Sequence, residues 1–265
     1  MTETNKHIIE TTNLSIGYRS KRKQTVVAAE IDIQLEKGKL VAVLGKNGIG
    51  KSTLLRTLSK VQPKLGGDLL IETIAIEKIT AHTLSQKMSL VLTERIPESN
   101  LTVYELIALG RQPYTNWMGT LTEADEVYIQ QAIDQVNITS IRHQKCNELS
   151  DGQLQKVMIA RALAQNTELI ILDEPTAHLD IHHKIEVFNL LQKLVKELHK
   201  TVIISTHEVQ LALQLADELW LLSDSKFIAG ATELLIQNGH LAKLFSTELV
   251  KFDSKSKQFI INKSQ

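Results

Sequence analysis

The sequence predicts an α/β fold with three parts: a mixed, mainly parallel sheet, an N-terminal antiparallel β subdomain and an inserted α-helical subdomain. Three observations predict it. Residues 7–35 alternate apolar and polar, as in Glu30-Ile31-Asp32-Ile33-Gln34-Leu35, the period of half-exposed antiparallel strands. From Leu40 the pattern changes to short apolar strands separated by helices, the mark of a parallel sheet. From about residue 100 to 165 the periodicity is helical, as in Val103-Tyr104-Glu105-Leu106-Ile107-Ala108-Leu109 and residues 127–136, with no strand candidate between them. Residues 1–265 are therefore expected to form one domain, with a helical subdomain at about 95–165 inserted between two halves of the sheet.

Composition narrows the function. At 265 residues the chain can bury a sizeable core. Lys plus Arg is 30 and Asp plus Glu is 30, which leaves no global basic field for nucleic acid. One cysteine, Cys146, excludes a disulfide framework and agrees with a reducing compartment. The N-terminus, Met1-Thr2-Glu3-Thr4-Asn5-Lys6, has no apolar core of a secretory signal. No apolar run approaches about 18 residues, so no membrane span is expected and any membrane role runs through a partner. His178, His182 and His183 lie close in sequence but lack a ligand pattern around them, and read as ordinary surface histidines.

The segment Gly45-Lys46-Asn47-Gly48-Ile49-Gly50-Lys51-Ser52 has the spacing G-x-x-x-x-G-K-[ST], which arises by accident in about 1% of chains this long. Lys39-Leu40-Val41-Ala42-Val43-Leu44 reads as a short buried strand running into it, and Ser52-Thr53-Leu54-Leu55-Arg56-Thr57-Leu58 as a helix leaving it. Glycines let successive N–H groups turn toward a phosphate, and the helix N-terminus adds partial positive charge. Lys51 would reach the β- and γ-phosphates and Ser52 would hold Mg²⁺. Further on, the apolar Leu169-Ile170-Ile171-Leu172 places Asp173 and Glu174 at a strand end. That is the sheet edge where ligands sit. Asp173 is assigned to magnesium and Glu174 to the attacking water.

Two further segments read less sharply alone. Ser150 with Gln153 three residues later fits a helix capping box. Gly152 in the same first turn would also expose N–H groups to an anion. His207 follows the apolar Val202-Ile203-Ile204; it is either a structural hydrogen-bonding residue or a γ-phosphate contact.

With these motifs in this order, the chain resembles the ATP-binding-cassette ATPases over nearly its whole length. Residues 45–52 match the Walker A motif, Leu149-Ser150-Asp151-Gly152-Gln153 the family signature, and residues 169–174 Walker B. Ala177-His178-Leu179-Asp180 matches the D-loop and His207 the switch histidine. The resemblance implies ATP and Mg²⁺ as cofactors. It implies that Tyr18 stacks on adenine and that Gly45, Asn47, Gly48, Gly50, Lys51, Ser52 and Thr53 bind the nucleotide. It implies that Ser150, Gly152 and Gln153 cap the ATP of a second copy in a head-to-tail dimer. The catalytic residues are then Glu174, His207 and Lys51, and the metal contacts Ser52 and Asp173. Two departures stand out. Asp151 occupies a position where many relatives have glycine. The family glutamine at the junction with the helical subdomain is replaced: an ungapped count back from Thr102 puts Thr93 there, with Glu94 next. Thr93 is the third expected metal contact; Glu94 is the alternative.

The segments Leu101-Thr102-Val103-Tyr104-Glu105-Leu106 and Gly110-Arg111-Gln112-Pro113-Tyr114 resemble the cassettes of importers for iron-siderophore complexes, haem and cobalamin. That resemblance implies transmembrane permease subunits as partners, a substrate-binding protein acting through them, and no nucleic acid. It places the chain peripherally on the cytoplasmic face of the inner membrane. Tyr104, Leu106, Ile107 and Tyr114 are then candidate docking residues, although apolar residues on a helix ordinarily face a core. The competing reading is a non-transport cassette ATPase, such as a cluster-assembly type. An exporter cassette is a third.

Overall fold

Alternation decides the first sheet. Strands His7–Arg19 and Gln24–Glu36 pair antiparallel, with Ile9 opposite Leu35 and Tyr18 opposite Thr25. Ile31, Ile33 and Leu35 are buried while Asp32 and Gln34 between them are exposed, the expected period of two. The computed structural model describes residues 6–20, 23–92, 100–224 and 226–261. A third strand, Gly66–Ile71, pairs with the other edge of His7–Arg19, placing Ile71 opposite Ile9. Its Gly66-Gly67-Asp68 start has poor strand propensity, and the sequence reading passed over it.

By contact density the chain falls into two units, Met1–Ile76 with Ile203–Gln265 and Glu77–Val202. In the first unit, strand Leu40–Leu44 is buried at every residue. It runs parallel to Glu218–Leu222, with Val43 opposite Trp220, and Phe227–Ala231 adds an antiparallel edge. A strand covered on both faces needs the continuous apolar run seen here. The Asp217 carboxylate accepts the Leu40 N–H at 2.8 Å, and the Leu40 carbonyl accepts the Asp217 N–H at 2.8 Å. These two bonds fix where the strand starts. The C-terminal run is a hairpin of Val250–Asp253 and Gln258–Ile261, with Phe252 opposite Phe259.

In the second unit, Met88–Val91 runs parallel to Leu169–Asp173. Between them the described residues hold helices Val103–Ala108, Glu123–Gln135 and Asp151–Ala164. The first two open on capping boxes at Thr102 and Thr122. Residues 100–165 thus contain no strand, only an isolated bridge between Thr102 and Lys145.

These helices pack around a buried charge. Arg111 is 4% exposed; its Nε donates to Asp125 Oδ1 at 2.8 Å and its Nη1 to the Ala164 carbonyl at 2.7 Å. The guanidinium lies 4.0 Å from the Tyr114 ring centre and 4.4 Å from that of Tyr128. Burial by itself would raise the Asp125 carboxyl, but bonds from Thr122 and Arg111 outweigh it and hold the group below the usual carboxylate range. Two docking candidates are corrected here. Leu106 and Ile107 are 2% and 0% exposed; they pack inside the unit and cannot present a surface. Tyr104 is half-buried, its hydroxyl donates to Glu126 at 2.6 Å, and burial followed by that bond pushes its pKa up to about 12. The exposed large apolar side chains of this region include Leu109, Tyr114, Trp117, Met118 and Val127.

Removing one partner of a buried ion pair leaves the other uncompensated. Arg111→Ala is therefore expected to destabilise the protein by about 3–5 kcal/mol, read by urea denaturation. The loss should shrink as pH falls below the usual carboxylate range, because protonated Asp125 no longer needs its partner. A change within about 0.5 kcal/mol would contradict the role given to this pair.

Candidate functional site

The loop after Leu40–Leu44 ends at Gly50, the cap residue of helix Lys51–Leu58. Gly50 has φ 115°, and a Cβ there would stand 2.2 Å from Val27 Cγ1. Both facts demand glycine. Leu54 and Leu58 bury the far side of the helix, so its N-terminal turn is anchored and its first N–H groups point out along the axis. Lys51 is 5% exposed. Its Nζ donates to the carbonyls of Gly45 at 3.3 Å and Lys46 at 3.4 Å, and lies 3.4 Å from His207 Nε2. His207 follows strand Thr201–Ser205, and the Thr206 N–H donates to the Val43 carbonyl at 3.3 Å. That bond ties the histidine segment to the strand that feeds the loop.

Tyr18 also reaches this turn. Its hydroxyl is 2.8 Å from Thr53 Oγ1 while the residue as a whole is 56% exposed. One end is fixed and one face is available for stacking. The first unit therefore brings together Tyr18, the loop with Gly45, Asn47 and Gly48, Lys51, Ser52, Thr53 and His207. A helix start, a buried ammonium and a histidine suit a polyphosphate.

In the second unit Asp173 ends strand Leu169–Asp173 and is 2% exposed. Glu174 follows with φ 49°. A non-glycine residue in this left-handed region is strained by about 1 kcal/mol or more. The Ala177 N–H donates to the Glu174 carbonyl at 3.0 Å, closing the turn that holds it. Ser150 caps helix Asp151–Ala164: its Oγ accepts the Gln153 N–H at 3.3 Å, and its own N–H donates to Gln153 Oε1 at 3.0 Å. The capping box read from sequence is present. Asp180 caps helix Ile181–Leu198, accepting the His183 N–H at 3.0 Å. That backbone bond, then the His183 side chain, holds the Asp180 carboxyl below its usual range. Thr93 and Glu94 lie outside the described residues.

Among the described residues no group of three or more His, Cys, Asp or Glu could hold a metal ion. The described residues therefore build no dedicated cage of protein ligands. The fit is to Mg²⁺, which takes one or two carboxylates, a hydroxyl and phosphate oxygens. Ser52 in the first unit carries a hydroxyl and Asp173 in the second a carboxylate, each a ligand type that Mg²⁺ takes.

The ABC transporter family profile matches residues 28–177. The chain belongs to the ABC transporter family. It is an ATP-binding cassette and an ATPase. An uncharacterised ABC transporter ATP-binding protein of Methanocaldococcus jannaschii is 39% identical over 222 residues, covering 84% of this chain and 75% of the relative. The petrobactin import ATP-binding protein YclP of Bacillus subtilis is 34% identical over 239 residues, covering 90% of this chain and 92% of the relative. Among solved structures, an inward-facing, putative metal-chelate type ABC transporter superposes with TM-score 0.78 at 29% identity over 91% of this chain and 89% of that one. A dimeric bacterial ABC transporter cassette superposes with TM-score 0.72 at 25% identity, over 84% of this chain and 98% of that one.

The sequence reading of the cassette missed two contacts. Val27 under Gly50 comes from a distant strand and has no local signal. His183 does have one, its i+3 spacing from Asp180, the pattern of a capped helix.

Gly50→Ala meets both obstacles and is expected to abolish nucleotide binding, measured with a fluorescent ATP analogue. Gly50→Ala with Val27→Ala removes the collision but leaves the backbone strain. It should recover folding in part and remain below the parent in thermal stability. Full recovery would mean that φ at Gly50 is unimportant.

Proposed function

We propose that this cassette is the ATP-hydrolysing subunit of an importer for iron-siderophore complexes. The observation that carries the reading is Lys51, buried on the loop carbonyls with His207 beside it, in a chain whose relatives include a petrobactin import subunit. Haem and cobalamin are the other cargoes of the same importer group. No helix of the described residues is long and apolar enough to cross a membrane. The cassette would therefore meet the membrane through permease subunits, on its cytoplasmic face, with a substrate-binding protein upstream. We assign residues 1–265 to one ATPase domain, with about 95–165 as its helical insertion.

The chemistry follows from the residues. Lys51 exchanges the carbonyls of Gly45 and Lys46 for phosphate oxygens. Gly45, Asn47, Gly48, Gly50 and Thr53 wrap the phosphates, and Tyr18 stacks on the base. Ser52, Asp173 and Thr93 would hold magnesium, whose charge would offset that of the phosphates. Glu174 takes the proton of the attacking water, its backbone held by the turn to Ala177. The His207 ring donates to a γ-phosphate oxygen. Ser150, Gly152 and Gln153 close over ATP held by a second copy. The dimeric cassette among the solved structures supports this arrangement.

Glu174→Gln keeps the side chain's size and removes the base. It is expected to bind ATP, to form a dimer with ATP but not ADP on a sizing column, and to hydrolyse about 100-fold more slowly or worse. Iron-siderophore uptake by cells carrying only this variant should fail. Hydrolysis at the parent rate would remove Glu174 from its role, and a monomer with ATP would remove the dimer. Undisturbed uptake would remove the importer assignment.

If Thr93 contacts magnesium, Thr93→Val should raise the magnesium concentration needed for half-maximal ATPase, by about tenfold for one lost ligand. An unchanged magnesium titration would take Thr93 out of the site.

A further inference from the structure

The glycine of the signature turn is not required by its backbone. Gly152 lies inside the first turn of Asp151–Ala164 and has no positive φ, so helix propensity alone favours alanine there. What excludes a side chain is His183. A Cβ on Gly152 would stand 2.6 Å from His183 Cδ2, 3.0 Å from Cγ and 3.1 Å from Nε2. The imidazole occupies the volume a side chain would need.

The ring is itself fixed from its other edge. Asp180 receives two bonds from His183, the backbone N–H on Oδ1 at 3.0 Å and the ring Nδ1–H on Oδ2 at 2.8 Å. Further along the same two helices, Lys156 Nζ lies 2.8 Å from Glu186 Oε2. These positions are i+4 from Gly152 and i+3 from His183, so both contacts lie on one face of each helix. The helix capped by Asp180 and the helix capped by Ser150 thereby touch at two successive turns.

We propose that His183 is a positioning residue for the signature turn: held by Asp180, its ring covers Gly152 and fixes where Ser150 and Gly152 are presented to a second copy. The inference rests on the reading that these residues close over the partner copy's ATP. His183 touches neither nucleotide nor water in that scheme. Its effect should appear in closure of the dimer and not in nucleotide binding by one subunit.

The test uses the full chain in the Glu174→Gln background, with ATP-driven dimerisation followed by light scattering. Adding His183→Ala should raise the ATP needed for half-dimerisation about tenfold. Binding of a fluorescent ATP analogue to the dilute monomer and the melting temperature should stay at parental values. His183→Asn keeps an Nδ donor for Asp180 and drops only the ring, so it should behave like alanine and guards against a folding defect. Gly152→Ala alone should block dimerisation. Gly152→Ala with His183→Ala should dimerise at lower ATP than Gly152→Ala alone, because the methyl group then has room. His183 variants that dimerise like the parent overturn the inference alone, as does a double variant no better than Gly152→Ala. Equal losses in monomer binding or melting temperature reduce His183 to a structural residue and also overturn it. A parent that fails to dimerise overturns the functional reading and this inference with it.

Discussion

One tight turn governs the nucleotide end of this protein. Five buried residues, Leu40–Leu44, must give way through the loop to a helix that starts at Lys51. The Asp217 carboxylate sets where the strand begins. Gly50, in a conformation closed to other residues and pressed on Val27, sets where the helix begins. With both ends fixed, the position of the Lys51 ammonium follows, and so does its approach to the loop carbonyls and to His207. The apolar core thus determines where a charge can sit. A longer or looser strand would carry the lysine past the carbonyls it rests on.

The helical region is organised by the opposite device, a charge placed inside. Arg111 binds a carboxylate from one helix and a carbonyl from another, between two tyrosine rings. Such a hub is expensive to bury, and its gain lies in geometry: a planar guanidinium accepts partners only along fixed directions. It registers Glu123–Gln135 against Asp151–Ala164, the helix that opens on the signature turn. The sequence motif around Arg111 was read as a mark of the importer group. The structure gives that residue an internal role, while Leu109, Trp117, Met118 and Val127 are among the exposed apolar side chains of the region.

Legibility from sequence followed the range of each interaction. The two long strands were visible because alternation is local, and the described helical region because its period is local. Strand Gly66–Ile71 was not, since its place depends on the free edge of His7–Arg19 and its first residues are glycines. The phosphate loop, the strand-end carboxylates and the capping box are contiguous motifs and could be read directly. The Val27 collision, the Arg111–Asp125 pair and the His183 ring over Gly152 join residues far apart in the chain. Leu106 and Ile107 show the limit most clearly. A helical apolar pair was legible, but only the packed structure tells which way it faces.

The two tryptophans stand at opposite extremes of exposure. Trp117, in the helical unit, is 93% exposed, and Trp220, in the unit that carries the nucleotide loop, is 0% exposed. Each compact unit therefore contains one tryptophan. Trp220 lies opposite Val43, in the strand that leads into the loop, and emits from a dry environment. Trp117 emits from water and is open to collisional quenchers. The protein is in this respect a two-channel optical probe without any label: an iodide-sensitive red component reports the surface of the helical unit, and a quencher-resistant blue component reports the sheet behind the nucleotide.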